Sequence, residues 1–286
     1  MSGKKLEADW LRWLQDNLDR NCNPEELLGT LLKNDFDIHS IQRHMGLLFP
    51  KDSDLLKKAG IKEETPDSQT EIDYVAIANT RITWNDSGIH AQRVMTSNLQ
   101  LYTVEDFMTA DECDRIVEIS STKLRPSTVT TGADYASYRT SSTCDLGWMN
   151  SADVKIIDEK IARAVGIQLS YSEGIQAQRY EVGQYFKQHT DYFKKDTYNK
   201  YAAANGQRTW TFMVYLNEDM QGGGTRFHDL NRVFTPRKGM AVAWNNLHAD
   251  GSLNPLTLHS GEPVLSGHKI IITKWFRERG RGPMFY

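Results

Sequence analysis

Lys269-Ile-Ile-Ile-Thr-Lys-Trp275 is a short and strongly apolar stretch near the end of the sequence. Similar apolar runs occur at residues 175–180, 210–216 and 240–244, and Gly, Asn, Asp and Pro residues separate them. Short apolar runs between turn-forming residues are typical of strands that are buried in a sandwich or a barrel. The part of the chain beyond residue 170 is therefore predicted to form such a β-structure.

Helical patterns precede these strands. Residues 109–112 (Thr-Ala-Asp-Glu) match a capping box, which is a signal for the start of a helix. Residues 151–165 carry Val154, Ile157 and Ile161 at helical spacing. Helices followed by many strands predict an α+β fold, with the helices on one side of a β-sandwich.

The first 97 residues have a different pattern from the rest. Apolar residues recur at helical spacing near the start, and Asn-Pro-Glu-Glu at 23–26 is the start signal of a second helix. Asp37 is placed to cap a third helix, and the polar residues 62–73 are expected to form a linker or an exposed loop. We predict an N-terminal helical module and linker at residues 1–97 and a main domain at residues 98–286. The module is either a surface for a partner or substrate, or packing support.

The composition argues against several classes of protein. The 286 residues carry 34 basic and 37 acidic side chains, and a net charge of −3 does not suit nucleic acid or an anionic membrane as a partner. No apolar run approaches the length of a membrane span, and the first residues lack the apolar segment of a secretory signal. Three cysteines are too few for a disulfide scaffold. A cytoplasmic location is the expectation.

His189 and Asp191 are separated by a single residue. In a strand, residues i and i+2 point to the same face, so one imidazole and one carboxylate would converge there. His259 is the candidate for a third ligand, whereas His248 precedes an Asp-Gly turn and is interpreted as a loop residue. Two histidines and one carboxylate form the ligand set of non-haem Fe(II) oxygenases, although zinc can occupy the same ligands.

Lys269 opens the apolar stretch quoted above, ten residues after His259. A buried ammonium group needs an anionic partner, because an unpaired buried charge is costly. The distal carboxylate of 2-oxoglutarate would provide that partner. An exposed position at the end of the strand is the alternative.

Four stretches stand in a fixed order along the chain. They are 179–193 (RYEVGQYFKQHTDYF), 208–217 (RTWTFMVYLN), 222–227 (GGGTRF) and 247–275, which includes LHADG, LHSGEPV and GHKIIITKW. In sequence and spacing they resemble the prolyl 4-hydroxylase group of the 2-oxoglutarate/Fe(II) dioxygenases. With weaker matches that include 139–142 (RTSS), the likeness covers roughly residues 99–279. The chain differs from the usual family pattern at three positions, where Phe186, Gln188 and Gly224 replace Tyr, Pro and Glu.

The resemblance implies a double-stranded β-helix, or jelly roll, flanked by helices. It places Fe(II) on His189, Asp191 and His259, which would carry the catalysis. O2 would be a cosubstrate with 2-oxoglutarate, and the family also allows ascorbate as a further cofactor. The reaction would hydroxylate an unactivated C–H bond and release succinate and CO2. Asp191 favours hydroxylation, because related halogenating enzymes have a small residue at that position.

The same resemblance assigns residues to the cosubstrate and to the substrate. Lys269 would hold the far carboxylate of 2-oxoglutarate, and the hydroxyl groups of Tyr180 and Thr225 match positions that support the same molecule. The positions near the substrate are Arg208, Trp275, Glu173, Tyr192 and Arg139.

A prolyl residue in a peptide or protein is the predicted substrate. A free amino acid or another small molecule is one alternative, and a catalytically silent jelly roll that only binds a partner is another. The polar, Gly-containing residues 126–145 are predicted to form a mobile lid over the substrate, with an ordinary connecting loop as the alternative.

Overall fold

The computed structural model describes residues 4, 6–19, 22–45, 49–50, 53–58, 72–80, 82, 91–127, 138–148 and 151–286. No helix among these residues is both long enough and apolar enough to cross a membrane. The chain divides into two compact units, Met1–Glu64 and Thr65–Tyr286. The predicted domain boundary after residue 97 falls within the second unit and stays a prediction. Two predicted segments lie outside the described residues, namely 62–71 of the linker and 128–137 of the lid.

The described part of the first unit is helical. Its helices are α1 (Ala8–Asp19), α2 (Pro24–Lys33), α3 (Ile38–Met45) and α4 (Asp54–Lys58). The Asn23 side chain accepts a hydrogen bond from the backbone N–H of Glu25, and Pro24 occupies the first position of α2. Asp37 caps α3 by accepting a hydrogen bond from the N–H of Ser40. The three helices predicted from the sequence of this region are confirmed.

The second unit also contains helices. They are α5 (Tyr74–Asn79), α6 (Ala110–Ser121), α7 (Ala152–Val165) and α8 (Lys195–Tyr201). Thr109 and Glu112 form the predicted capping box at the start of α6, each side chain accepting a hydrogen bond from the backbone N–H of the other residue. Helix α5 lies against the sheet, because the indole N–H of Trp210 donates to the carbonyl of Ile77 at 3.1 Å.

The strands of the second unit form two larger sheets and one small one. They are β1 (Gln92–Arg93), β2 (Leu101–Val104), β3 (Arg125–Pro126), β4 (Ser142–Asp145), β5 (Gln176–Tyr180), β6 (Phe186–His189), β7 (Arg208–Tyr215), β8 (Gln221–Gly222), β9 (Thr225–Phe227), β10 (Arg232–Phe234), β11 (Ala241–Asn245), β12 (His259–Gly261), β13 (Val264–Ser266) and β14 (Lys269–Arg277). Eight strands pair in the order β1-β2-β11-β7-β14-β5-β4-β3, four in the order β10-β9-β12-β6, and β8 pairs with β13. Within the predicted lid, Pro126 and residues 142–145 belong to the paired strands β3 and β4.

The chain path alternates between the two larger sheets. Strands β5, β7, β11 and β14 belong to the eight-stranded sheet, and β6, β9 and β12 lie between them in sequence but belong to the four-stranded sheet. The pairs between these strands are antiparallel. This alternation is the path of a double-stranded β-helix, so the predicted α+β fold with a jelly-roll core is confirmed.

Strand β14 separates two apolar layers, and all nine of its residues are buried. Ile270 and Ile272 face one cluster, which also contains Ile157 of α7. Ile271 belongs to a second cluster with Phe227 of the four-stranded sheet. Successive residues of a strand point to opposite faces, so one face of β14 packs on the helices and the other lines the space between the sheets. Lys269 lies on this inner face, two residues before Ile271.

Candidate functional site

His189 and His259 are direct neighbours across the pair of strands β6 and β12. Their Cα atoms are register partners, at the end of β6 and the start of β12. The centres of the two imidazole rings are 4.2 Å apart. The spacing of the two histidines is therefore set by backbone hydrogen bonding between two strands.

Asp191 completes the group of three. Its Oδ1 lies 3.9 Å from Nε2 of His189. One ligand atom from each of Asp191, His189 and His259 lies within 4.8 Å of the other two. The three residues that the sequence predicted as a metal site are thus brought together, whereas His248 lies in a turn in which its carbonyl accepts the N–H of Gly251.

Both histidines present the same nitrogen to the centre of this group. Nδ1 of His189 is 2.7 Å from the carbonyl oxygen of Lys187, and Nδ1 of His259 is 2.8 Å from that of Thr257. A carbonyl only accepts, so each Nδ1 carries the hydrogen and each Nε2 offers a lone pair. Burial, followed by the charge of His259, lowers the pKa of His189 to about 3. An Nε2 atom that is presented in this way, with Nδ1 held by a backbone carbonyl, is suited to bind a metal ion.

Asp191 is held as a carboxylate by its surroundings. Burial alone would raise its pKa, but His259, His189 and Arg208 and a hydrogen bond from Thr211 outweigh this effect and keep the pKa below its ordinary value. The Thr211 hydroxyl donates to Oδ2 at 2.7 Å. The donor set of two imidazoles and one carboxylate, without thiolate, fits Fe(II) with coordination positions left open.

Lys269 is a buried cation beside this group, with 1% of its surface exposed. Its Nζ donates to the carbonyl of Gly223 at 2.8 Å and lies 4.5 Å from the centre of the Tyr180 ring. Burial lowers the pKa of Lys269 to about 7, although the charge of Glu262 acts in the opposite direction. Among the described residues no carboxylate forms a salt bridge with Lys269, which leaves the ammonium suited to an anionic ligand.

Tyr180 and Thr225, the predicted neighbours of the cosubstrate, are related to Lys269 through strand pairing. Tyr180 is the register partner of Lys269 on β5, and its hydroxyl donates to Oε1 of Gln178 at 2.8 Å. Thr225 on β9 is the register partner of Gly261, and a Cβ atom at Gly261 would lie 3.3 Å from Nζ of Lys269. Both hydroxyl-bearing residues therefore belong to the walls of the same buried space.

Comparison with known proteins agrees with this geometry. The family model of the 2OG-Fe(II) oxygenase superfamily matches residues 175–277. A protein of Acanthamoeba polyphaga mimivirus with the name "Putative prolyl 4-hydroxylase" is 32% identical over 181 residues, which are 62% of this chain and 74% of the viral protein. The chain belongs to the prolyl 4-hydroxylase family.

Other members of the prolyl 4-hydroxylase family are longer or more distant. The prolyl 4-hydroxylase subunit alpha-1 of Gallus gallus is 31% identical over 181 residues, and the chain spans about a third (35%) of the length of that subunit. The crystal structure of viral collagen prolyl hydroxylase vCPH from Paramecium Bursaria Chlorella virus-1, as a 2OG complex, is 26% identical. The aligned region includes 62% of this chain and 95% of the viral chain, and the TM-score is 0.48.

Three of the residues that the sequence predicted to lie near the substrate contact one another. Arg208 donates from Nε and from a terminal nitrogen to the two carboxylate oxygens of Glu173, at 2.6 and 2.8 Å. Its guanidinium also lies 3.9 Å from the centre of the Trp275 ring. The shared partner Glu173 accepts a further hydrogen bond from Arg277 at 2.9 Å. Arg208 also makes a longer hydrogen bond of 3.4 Å to the carbonyl of Asp191, which places it beside the metal ligands.

The indole N–H of Trp275 is buried and has no hydrogen-bond partner in the described parts of the chain. Buried donors are satisfied in most proteins, so such a group indicates a missing partner. This unpaired donor belongs to the ring that the Arg208 guanidinium contacts.

Arg139 and Tyr192 are the other two residues that the sequence predicted to lie near the substrate. Arg139 is buried and donates to the hydroxyls of Ser141 and Thr143 at 3.1 Å each, and its guanidinium lies 5.0 Å from the Phe186 ring. Arg139 therefore lines the inner wall next to β6. Tyr192 follows Asp191 directly and is half-buried, so its closeness to the metal site comes from its place in the chain.

Phe186, where the family usually has tyrosine, stacks on a metal-site histidine. The centres of the Phe186 and His189 rings are 3.5 Å apart and their planes are inclined by 16°. Phe186 and Gly261 also line a cavity of about 580 Å³ whose wall includes Tyr138 and Tyr185. None of the three metal-site residues lines this cavity.

Two contacts of the site were missed by sequence reasoning. Thr211 bonds to Asp191, and Trp244 lies edge-on to His259 with 4.9 Å between ring centres. The only signal for Thr211 is a hydroxyl within the apolar run 210–216, which is unusual in a strand that is buried on both faces.

Proposed function

We propose that the chain is a 2-oxoglutarate- and Fe(II)-dependent dioxygenase that hydroxylates a prolyl residue of a peptide or protein. One observation carries the proposal. His189, Asp191 and His259 converge with two free imidazole nitrogens and a carboxylate beside Lys269, a buried ammonium without a carboxylate partner among the described residues. The relatives named as prolyl 4-hydroxylases support the choice of substrate.

Each part of the site has a role in this proposal. The three clustered residues would hold Fe(II), and Lys269 would hold the distal carboxylate of 2-oxoglutarate, flanked by Tyr180. Bound iron and 2-oxoglutarate supply the oxidising power that introduces one oxygen atom of O2 into the substrate and the other into succinate. The protein binds and orients these groups and excludes water from the space between the sheets.

The side chains are in suitable protonation states for these roles at neutral pH. His189 is neutral, because its pKa is lowered to about 3, and Asp191 is ionised. The pKa of Lys269 is about 7, so an arriving carboxylate would favour its protonated form. Among the predicted substrate residues, Trp275 offers a buried donor and Arg208 a guanidinium that already lies against its ring.

The first experiment measures the visible charge-transfer band of the iron chelate. Protein is loaded with Fe(II) without oxygen, and 2-oxoglutarate is added. The wild type is expected to develop the band, His189→Ala is expected to lose it, and His248→Ala serves as the control because that histidine lies in a turn. Iron bound without a band in the wild type would remove 2-oxoglutarate from the proposal.

A positive result leads to the substrate. Proline-containing peptides are expected to raise succinate release above the rate without peptide. Release with free amino acids or other small molecules alone would favour the alternative substrate class, and no release with any of them would favour a silent binding module.

A cytoplasmic location is also proposed, with support from the three free cysteines, Cys22, Cys113 and Cys144.

A further inference from the structure

A chain of three hydrogen bonds runs from a buried tryptophan to the carboxylate of Asp191. The indole N–H of Trp244 donates to Oδ1 of Asn246 at 3.1 Å. The side-chain amide of Asn246 donates to the Thr211 hydroxyl at 2.9 Å, and this hydroxyl donates to Oδ2 of Asp191 at 2.7 Å. The first three residues are at most 1% exposed, so water does not compete for these bonds.

The chemistry of tryptophan determines the direction of the whole chain. An indole N–H can only donate, so the atom of Asn246 that it meets must be the carbonyl oxygen. The amide NH2 of Asn246 then faces Thr211 and occupies an acceptor position of its hydroxyl oxygen. The single hydroxyl hydrogen of Thr211 is thereby directed to Asp191, and the reverse orientation would leave the indole facing a second donor.

The consequence is that the two oxygens of Asp191 are not equivalent. Oδ2 is engaged by Thr211, whereas Oδ1 lies towards His189, 3.9 Å from its Nε2. A carboxylate with one oxygen engaged in this way offers the other to a metal ion. A carboxylate with both oxygens free can bind through both and occupy an additional coordination position.

We propose that Thr211, Asn246 and Trp244 are positioning residues that make Asp191 a single-oxygen ligand. They keep open a coordination position that 2-oxoglutarate needs, since a 2-oxo acid binds through two atoms. Trp244 also contacts the second histidine of the site, with 4.9 Å between its ring centre and that of His259. This inference rests on the proposed function, because it assigns the open position to 2-oxoglutarate.

The test compares two threonines of the same strand. Thr211→Val removes the hydroxyl that bonds to Asp191. Thr209→Val is the matched control, because Thr209 is equally buried in β7 and its hydroxyl has no partner among the residues that the structure describes. For each variant, Fe(II) affinity is measured without oxygen, and the 2-oxoglutarate affinity of the iron-loaded protein is measured from the charge-transfer band.

Thr211→Val is expected to weaken 2-oxoglutarate binding about tenfold or more, because the released oxygen of Asp191 would compete for the position that 2-oxoglutarate needs; tenfold is the lower end of the effect that loss of an outer hydrogen bond has on metal affinity or activity. Its Fe(II) affinity is expected to remain within about threefold of the wild type, because the released oxygen can itself bind the metal. Thr209→Val is expected to match the wild type in both measurements. Equal 2-oxoglutarate affinity of the two valine variants would overturn the proposal, as would a loss of iron affinity with unchanged affinity for 2-oxoglutarate.

Two further variants cover the case in which Thr211→Val does not fold. Thr211→Ser retains the hydroxyl and is expected to restore wild-type binding. Trp244→Phe keeps an aromatic ring but frees the Asn246 amide to turn, so it is expected to weaken 2-oxoglutarate binding in the same direction although it leaves Thr211 in place. A Trp244→Phe protein with wild-type affinity would contradict the role of the indole.

A wild type that binds iron but shows no band would instead count against the proposed function. In that case the cobalt(II) spectra of Thr211→Val and Thr209→Val, compared with each other, would still report whether Asp191 changes its coordination.

Discussion

At the scale of single residues, Lys269 lowers the stability of the ligand-free protein but favours the binding of an anion. The residue is 1% exposed, its ammonium donates to the neutral carbonyl of Gly223, and burial lowers its pKa to about 7. A buried charge without an opposite charge destabilises the folded state. The same group strongly attracts a carboxylate that enters the space. Binding of the carboxylate relieves the unfavourable free energy of the buried charge, and this relief contributes to the affinity.

Replacement of Lys269 by methionine should separate these two effects. Lys269→Met keeps the length of the side chain and removes the charge, so the melting temperature of the ligand-free protein is expected to stay the same or rise. Affinity for 2-oxoglutarate is expected to fall by about 2–5 kcal/mol, as for loss of one partner of a buried charge pair. Differential scanning calorimetry and calorimetric titration measure the two quantities. A variant that binds 2-oxoglutarate as tightly as the wild type would show that Lys269 is not its partner.

The titration of Lys269 predicts a dependence on pH. The pKa is about 7 in the folded protein, against an ordinary lysine value of 10.5, so between these values the unfolded chain binds a proton that the folded, ligand-free protein does not. Stability linked to this group therefore rises with pH across that window, and the destabilisation is fully present below about pH 7. Because a carboxylate favours the ammonium form, 2-oxoglutarate binding at about pH 8 should take up a proton. Titrations in two buffers of different ionisation enthalpy measure this uptake, which should be absent in Lys269→Met.

At the scale of elements, β14 carries two buried lysines on opposite faces. Lys269 faces the space between the sheets, whereas Lys274 forms a salt bridge of 2.6 Å with Asp158 of α7 and donates to the carbonyl of Glu173 at 2.9 Å. Both side chains are 1% exposed. The odd spacing of five residues along one strand gives the two lysines different partners and different roles.

Lys274→Met is consequently the control for Lys269→Met within one strand. It removes two charge-assisted hydrogen bonds, so the free energy of unfolding is expected to fall by about 1.5–3 kcal/mol. The affinity for 2-oxoglutarate should not change, because Lys274 lies on the helix side. Urea denaturation and calorimetric titration give the two values. If both methionine variants lost 2-oxoglutarate binding equally, the effect would belong to the strand as a whole and not to its inner face.

At the scale of the whole molecule, α5 is part of what supports the jelly roll. Ile77 is 1% exposed within the apolar cluster on the helix side, and its carbonyl accepts the Trp210 indole N–H. The Tyr74 hydroxyl donates to Glu278 at 2.8 Å. These contacts join residues that the sequence analysis assigned to different domains.

Two shortened chains test where the functional domain begins. A chain of residues 65–286 is expected to retain the 2-oxoglutarate band, because all residues of the proposed site lie within it. A chain of residues 98–286 lacks α5 and should lose at least about 2 kcal/mol of unfolding free energy, since a buried isoleucine and an acceptor for a buried indole are removed. Urea denaturation of the two chains gives the difference. Equal stability would instead support a boundary near residue 97.

The sequence predicted the parts of the molecule that depend on local pattern. His189 and Asp191 are two residues apart, and Lys269 opens an apolar run, so both features are visible along the chain. The pairing of Arg208 with Glu173 and the bond from Asn246 to Thr211 depend on which strands become neighbours, 35 residues apart in each case. Residue spacing carries no direct signal for such contacts, because they arise only once the sheets have formed.

The pairing of His189 with His259 across β6 and β12 keeps the distance between these two metal ligands independent of the length of the loops between the strands. Loop residues between them that are exposed or half-buried, such as 229–231 and 248–250, can change without altering the distance between two backbone-paired residues. Surfaces that meet different substrates can thus diversify while the reactive centre stays constant. For protein engineering, these loops are the places at which to graft new recognition segments, and the register of β6 with β12 is the feature to leave untouched.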